Sequence, residues 1–460
     1  MAFHEKFRFR CLSELAAKVE EVGVDLPLAT SIEKLKEPVA IGPFTAPNRL
    51  AVHPMEGCDG TVTGSPDALT YRRYERFARS GAGLLWFEAT AIVPEGRANP
   101  RQLCLQEKNV RDFAELLAET RRIAQAEFGP SFEPVCVLQL THSGRYSRPV
   151  KDPQPLLAHH SPYLDPKVHV SSDYPLLSDG ELEALEERYV EVAKLARQAG
   201  FQGVDIKHCH CYLGSELLAA FTREGRYGGS YENRTRFLKN IVGKIRHELP
   251  DLMVTVRLNA YDGIPYPYGW GVSPEEEMQP DLTEPKRLVR ELYALGVPMV
   301  NISAGNPYYN PHLGRPFDTP IVGAYIPPEH PLEGVARLVH LAREVQQHVP
   351  EMVVVGTGYS WLRQFWGYAA EAVVRQGWAT IVGLGRGAFA HPTFARDLLS
   401  GKPIDPKAVC ITCSRCTQIM RDGGRTGCVP RDREVYGPLY REGRRRFPTE
   451  KPRRWIGVHL

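Results

Sequence analysis

Four cysteines near the end of the sequence, Cys410, Cys413, Cys416 and Cys428, are separated by two, two and eleven residues in the run CITCSRCTQIMRDGGRTGC. Thiolates at such close, fixed spacing can wrap one tetrahedral centre. Four of them suit either a structural zinc ion or a [4Fe-4S] cluster. A second dense segment, GVDIKHCHCYL, carries Lys207, His210 and Tyr212, each able to donate a hydrogen bond or a proton. Its HCHC core, residues 208 to 211, reads poorly as a metal site. On a strand, alternate side chains face opposite ways, so His208 and His210 would point to one side and Cys209 and Cys211 to the other. Late in the chain, Gly356, Gly358, Gly385 and Arg386 combine unshielded backbone N–H groups with a guanidinium. That pairing grips a phosphate.

These groups lie far apart in sequence and need a frame that gathers them. Apolar runs rich in Val, Ile and Leu recur eight times: Leu50 to Met55, Gly83 to Thr90, Val135 to Thr141, Gly203 to His210, Met253 to Ala260, Met299 to Ala304, Met352 to Gly358 and Thr380 to Arg386. Each is followed by helical spacing, which calls for a parallel sheet with helical crossovers. The plainest helix follows Ser178: Leu182, Leu185, Tyr189, Val192 and Ala196 share one face, and Gly200 supplies a left-handed stop. A doubly wound open sheet competes, but eight repeats suit closure better. The expected architecture is therefore α/β, a (β/α)8 TIM barrel over residues 41–400, with a short N-terminal extension over 1–40 and a C-terminal cysteine-cluster segment over 401–460.

In such a barrel the reactive groups gather just past the C-terminal ends of the strands. Those positions are Met55 and Glu56, Glu88, Gln139 with His142 and Arg145, Lys207 with His210 and Tyr212, Arg257, Ser303 with Asn306, Gly356 with Gly358, and Gly385 with Arg386. Glycines and an arginine at the last two ends match the place where barrels hold a phosphate.

Composition narrows the functional classes. Lys and Arg number 57 against 54 Asp and Glu, so no global field recruits nucleic acid or an anionic membrane. The start, MAFHEKFRFRC, has no apolar core of a signal peptide, and no eighteen-residue apolar run occurs, so the expected location is cytoplasmic, with no membrane partner. Ten cysteines in 460 residues are too sparse for a disulfide scaffold.

Over roughly residues 40–400 the sequence resembles the Old Yellow Enzyme family of FMN-containing ene-reductases. The resemblance rests on IGPFTAPNRLAVHPM at the first strand, QLTHSGR at the third, YGGSYENRTRF over residues 227–237 and VGLGRGAFAHP at the eighth. It implies that Gln139 hydrogen-bonds the flavin pyrimidine and that Arg257 sits by N1 and the C2 carbonyl, stabilising the charge of the reduced flavin. Pro54 and Met55 would pack on the ring, with Glu56 and Glu88 beside them, and Gly356, Gly358, Gly385 and Arg386 would take the phosphate. His210 and Tyr212 match the family's second donor and its tyrosine, while Lys207 stands where a first His is expected. Lys207 and His210 would polarise a substrate carbonyl, hydride would pass from flavin N5 to the β-carbon, and Tyr212, a phenol of pKa about 10, would protonate the α-carbon. A charged Lys207 would favour a carboxylate or a strongly polarised acceptor. Glu56 replaces the usual Thr, Ser or Cys; it would have to be protonated or paired, or turn away and leave Gly57 or Cys58 nearer the ring.

The resemblance also favours iron-sulfur over zinc, because relatives such as 2,4-dienoyl-CoA reductase and trimethylamine dehydrogenase carry a similar cysteine run after the barrel. Some thirty residues follow Cys428, so their nucleotide-binding modules are expected to be absent. Electrons would then come from NAD(P)H over the flavin, or through the cluster from a carrier such as ferredoxin. The basic tail, REGRRRFPTEKPRRW, reads as a solvated arm or a docking patch for that carrier. We expect a small-molecule unsaturated substrate, a homo-oligomer and no nucleic-acid partner. An amine dehydrogenase or demethylase of the trimethylamine dehydrogenase type is the enzymatic alternative, disfavoured by Glu56 at the position where that branch attaches flavin to Cys. A zinc-knuckle barrel that binds nucleic acid is the remote one.

Overall fold

The structure, a computed structural model, describes residues 3–276 and 278–446 and the backbone of Arg453–Arg454. Eight parallel strands close on themselves: β1 (Leu50–Val52), β2 (Leu84–Ala91), β3 (Val135–Thr141), β4 (Gly203–His208), β5 (Met253–Tyr261), β6 (Met299–Ala304), β7 (Val353–Gly356) and β8 (Ile381–Leu384), with β8 paired to β1. Crossover helices include α1 (Ala68–Ala78), α2 (Val110–Phe128), α3 (Asp179–Gln198), α4 (Tyr231–Glu248), α5 (Thr283–Ala294), α6 (Pro331–His348) and α7 (Trp366–Arg375). The expected (β/α)8 barrel is the observed one. Among the described residues no helix is long and apolar enough to cross a membrane.

The strands are covered on both faces, which is why their sequences are apolar throughout. On β5, Val254, Val256 and Leu258 face the helices, whereas Met253, Thr255, Arg257 and Asn259 alternate with them and line the interior. The interior is graded along its axis. Its lower layer, Trp86, Val137, Met253, Met299 and Val355, is sealed by Val39, Ile41 and Ala46 of a two-stranded hairpin (Val39–Ile41 with Phe44–Ala46). One step up, register sets Gln139 beside Asp205 and Thr255, and the next step aligns Lys207, Arg257 and Asn301. Polar side chains therefore converge only at the C-terminal mouth.

Helix α3 matches the sequence expectation. Ser178 caps it through a reciprocal pair with Glu181, while Leu182, Tyr189, Val192 and Ala196 are buried. Gly200 follows with φ +93°. Strand β4, expected to run to His210, stops at His208, because His210 and Cys211 adopt left-handed conformations with φ of 66° and 53°. The alternation expected through HCHC is therefore broken: His208 lies against Phe237 of α4, while His210 turns into the barrel mouth.

Both terminal segments pack on the barrel. In the N-terminal stretch, Phe7 and Phe9 meet Trp361 edge-on, and Asp318 accepts from the Phe7 N–H (3.1 Å) and from Trp361 Nε1 (2.7 Å). The cysteine segment forms helix α8 (Arg415–Arg421), which borders the C-terminal mouth, and helix α9 (Arg433–Arg446), whose Tyr436 lies beside α1. Thr426 N–H donates to the Gly57 carbonyl (2.7 Å), and Asp432 holds Arg72 of α1 at 2.7 and 3.0 Å. Residues 447–452 and 455–460 of the basic tail lie outside the described residues.

Candidate active site

A cavity opens at the C-terminal ends of the strands and gathers most of the expected groups. Pro54, Met55, Glu56, Gln139, Lys207 and His210 line it, as do Tyr212, Arg257, Gly358, Gly385 and Arg386. Two expected members are not on its wall. Glu88 stands behind the loop after β1, where it accepts from the Gly57 N–H (2.9 Å) and pairs with Arg73 of α1 (2.7 Å). Arg73 also holds Asp59 (2.6 Å), so the arrangement is a buried carboxylate–guanidinium–carboxylate clamp. Gly356 contributes instead through its carbonyl, which faces His53 Nε2 at 3.2 Å. Of the other polar strand-end positions, Arg145 is wholly buried and paired with Glu216 and Asp165, and Asn306 donates to the Tyr146 hydroxyl (2.7 Å).

The wall has two chemically distinct sides. On one, Gln139 Nε2 donates to Asp205 Oδ2 (2.6 Å), which orients the amide and leaves its oxygen free to accept. Burial pushes the Asp205 carboxyl up to about 7, with Gln139 and Arg257 pulling the other way. Arg257 is 7% exposed, and its buried Nε has no hydrogen-bond partner among the described residues. A desolvated guanidinium left this way is poised for an electron-rich ligand. His53 is held neutral, burial pushing it down to about 3. Its ring occupies the space that a side chain on Gly383 would take, 2.4 Å from such a Cβ.

On the other side, Lys207 Nζ rests 3.7 Å from the centre of the Tyr212 ring, a close cation–π contact. The Tyr212 hydroxyl meets that of Tyr308 at 3.2 Å. Burial raises the Tyr212 phenol well above its usual range, so it stays protonated. Burial lowers Lys207 and takes His210 well below its ordinary value, the latter helped by Arg257 and Lys207. His210 is thus a neutral donor. Glu56, the only carboxylate among the residues lining this cavity, is pushed toward its neutral acid by burial and accepts weakly from the Cys58 thiol (3.5 Å). It faces the cavity and does not turn away.

Where β7 and β8 end, Thr357, Gly358, Ser360, Gly385 and Arg386 meet Arg315, which arrives from the loop after β6. A Cβ on Gly385 would lie 2.6 Å from Met55 Sδ, so a larger residue there would push the Met55 side chain aside. Burial, and after it the like charge of Arg386, lowers Arg315 well below its ordinary value. Residues that sequence reasoning passed over here are His53, Asp205, Tyr308 and Arg315. Arg315 lies in the irregular loop after β6, and nothing in its spacing marks it.

The four cysteines converge. Cys410, Cys413, Cys416 and Cys428 line one small cavity, and Cys416 and Arg386 border both it and the larger one. Burial, with the neighbouring Cys416 and Cys413 acting the same way, pushes Cys410 up to about 12. Among the described residues, no three His, Cys, Asp or Glu side chains are grouped as a single metal ion requires.

Residues 34–267 match the family described as NADH:flavin oxidoreductase / NADH oxidase. The chain belongs to this family. Within it, the NADH oxidase of Thermoanaerobacter brockii is 26% identical over 382 residues, covering 81% of this chain and 52% of that protein. The chain thus spans about half the length of that relative. Among solved structures, a complex of 2-naphthoyl-CoA reductase with 2-naphthoyl-CoA superposes with a TM-score of 0.69 at 20% identity, over 89% of this chain and 58% of that one. An old yellow enzyme homologue from Zymomonas mobilis gives a TM-score of 0.59 at 21% identity, over 82% and 95%. These likenesses establish the barrel of the NADH:flavin oxidoreductases. The family match includes Gln139, Lys207 and Arg257 but stops before Arg315, Arg386 and the cysteines.

Proposed function

We propose that this NADH:flavin oxidoreductase family member is an FMN-dependent reductase of activated C=C bonds. The observation that carries the reading is one cavity with an oriented amide and an unpaired guanidinium on one side and three proton or hydrogen-bond donors on the other. The wall suits FMN. Gln139 would accept from the pyrimidine ring, Arg257 would meet its electron-rich edge, and Arg315 with Arg386 and the Gly358 and Gly385 backbone would take the phosphate. Bound FMN supplies hydride to the substrate.

Lys207 and His210 would hydrogen-bond the substrate's carbonyl oxygen and draw electron density from the β-carbon. Tyr212, protonated because it is buried, would deliver its proton to the α-carbon and recover one by way of Tyr308. With Arg257, Arg315 and Arg386 committed to FMN, a cationic amine substrate would still meet the Lys207 ammonium among the substrate's donors, which disfavours the amine dehydrogenase reading.

For the cysteines we propose a [4Fe-4S] cluster. Four thiols lining one cavity supply the four cysteine ligands that such a cluster takes. Cys416 would put such a cluster against the flavin wall, so electrons could enter from NAD(P)H or from an outside carrier.

Anaerobic purification followed by a visible spectrum, iron and sulfide assays, and titration with NADH and NADPH tests the whole reading. A yellow-brown protein whose reduced flavin is reoxidised by an α,β-unsaturated aldehyde is the expected result. Colourless protein with stoichiometric zinc would overturn it.

A further inference from the structure

A second cavity, of about 410 Å³, opens off the first and shares Glu56, Tyr212, Tyr308 and Met420 with it. Its chemistry is one-sided. Arg148, Lys167, His169 and Arg421 lie on its wall, while its only carboxylate is Glu56, at the shared end. The charge of Arg145, also on the wall, is already met by Glu216 and Asp165. Among the described residues no such ion pair is formed by Arg148, Lys167 or Arg421. Arg148 Nε reaches only the Lys151 carbonyl (2.7 Å). Arg421 lies over the Tyr308 ring at 3.8 Å and donates to the Pro307 carbonyl (2.9 Å), yet its buried Nε has no partner. Arg148 and Arg421 are half-buried and Lys167 stands exposed at the rim, and cations gathered without counter-charge around one cavity are stabilised when a ligand brings the anion.

Tyr146 and Tyr308 stack at 3.8 Å with planes 10° apart where the two cavities meet, and the stacked pair stands between the donors of the first and the cations of the second. A single molecule can therefore reach both. We infer that the second cavity binds the anionic tail of the substrate whose unsaturated acyl head lies in the first. The anion is either the phosphates of a thioester carrier or a carboxylate at the far end of the acyl group. This rests on the C=C reductase reading.

The test uses the flavin-loaded full chain and three compounds with one head: cinnamaldehyde, 4-carboxycinnamaldehyde and cinnamoyl-CoA. Calorimetry with their saturated counterparts measures binding separately from turnover. At about 20 mM salt, at least one anionic compound should bind about tenfold or more tightly than the neutral one. That advantage should fall about tenfold in Arg148→Gln/Lys167→Gln and shrink for the unaltered protein at about 300 mM salt. A preference for the thioester assigns phosphates, and a preference for the carboxyl compound assigns a distal carboxylate. Equal binding of all three, or equal weakening of all three in the variant, overturns the proposal. Selective binding without turnover of any compound would leave the anion site standing and overturn the C=C reading alone.

Discussion

Replacing Arg73 with Met should cost the protein several kcal/mol and change how its stability depends on pH. Arg73, 3% exposed, lies between Asp59 (2.6 Å) and Glu88 (2.7 Å), both essentially without solvent contact. Removing the guanidinium leaves two carboxylates buried and uncompensated, a loss of about 3–5 kcal/mol. Burial already raises Glu88 to about 7 against Arg73's opposing pull, so the folded state holds that proton more tightly than the unfolded chain. The stability this proton contributes is complete below the ordinary value of 4.5 and is lost as pH rises to about 7. Without Arg73 the folded value moves higher still and extends the window upward. Between pH 7 and 8 the unaltered protein has little left to lose from this group, whereas the variant should lose about 1–1.5 kcal/mol more. Urea denaturation at both pH values reads the difference. Adding Asp59→Asn and Glu88→Gln to the variant should restore more than half of the loss, because neutral groups need no counter-charge. A loss under about 1 kcal/mol, or one equal at both pH values, would refute the reasoning.

Three further outcomes follow from the site. Arg315→Leu and Arg386→Leu should each weaken FMN binding about 10- to 150-fold, the worth of about 1.5–3 kcal/mol for a hydrogen bond to a charged group, while riboflavin, which lacks the phosphate, changes little; equal losses for both flavins would remove the phosphate role. Tyr212→Phe should leave flavin reduction by NAD(P)H intact and slow reoxidation by an unsaturated aldehyde about 10²- to 10⁴-fold in stopped flow; an unchanged rate would mean that another group supplies the proton. Cys413→Ala, prepared without oxygen, should lose iron and sulfide but keep its flavin, and retention of the full iron content would exclude Cys413 as a ligand.

The sequence alone determined the architecture, because parallel strands buried on both faces must be apolar throughout and helices must show a 3.6-residue stripe, so that eight β/α repeats are visible without coordinates. It also determined which residues reach the barrel mouth from strand ends, since alternation along a strand and its C-terminal position place Gln139, Lys207 and Arg257 there. What only the tertiary structure decided is everything that depends on a partner brought from elsewhere in the chain. Glu88 sits at a strand end as expected, yet Arg73 of α1 draws it behind the wall. Local conformation intervenes too: the left-handed turn at His210 and Cys211 undoes the alternation that the HCHC run suggests. Arg315 reaches the glycines of β7 and β8 from an irregular loop, and Arg421 crosses from the cysteine segment to cover Tyr308. Periodicity encodes which face of an element a residue occupies, whereas loop paths and long-range ion pairs carry no period, so the second cavity and its unpaired cations become visible only when the chain is folded.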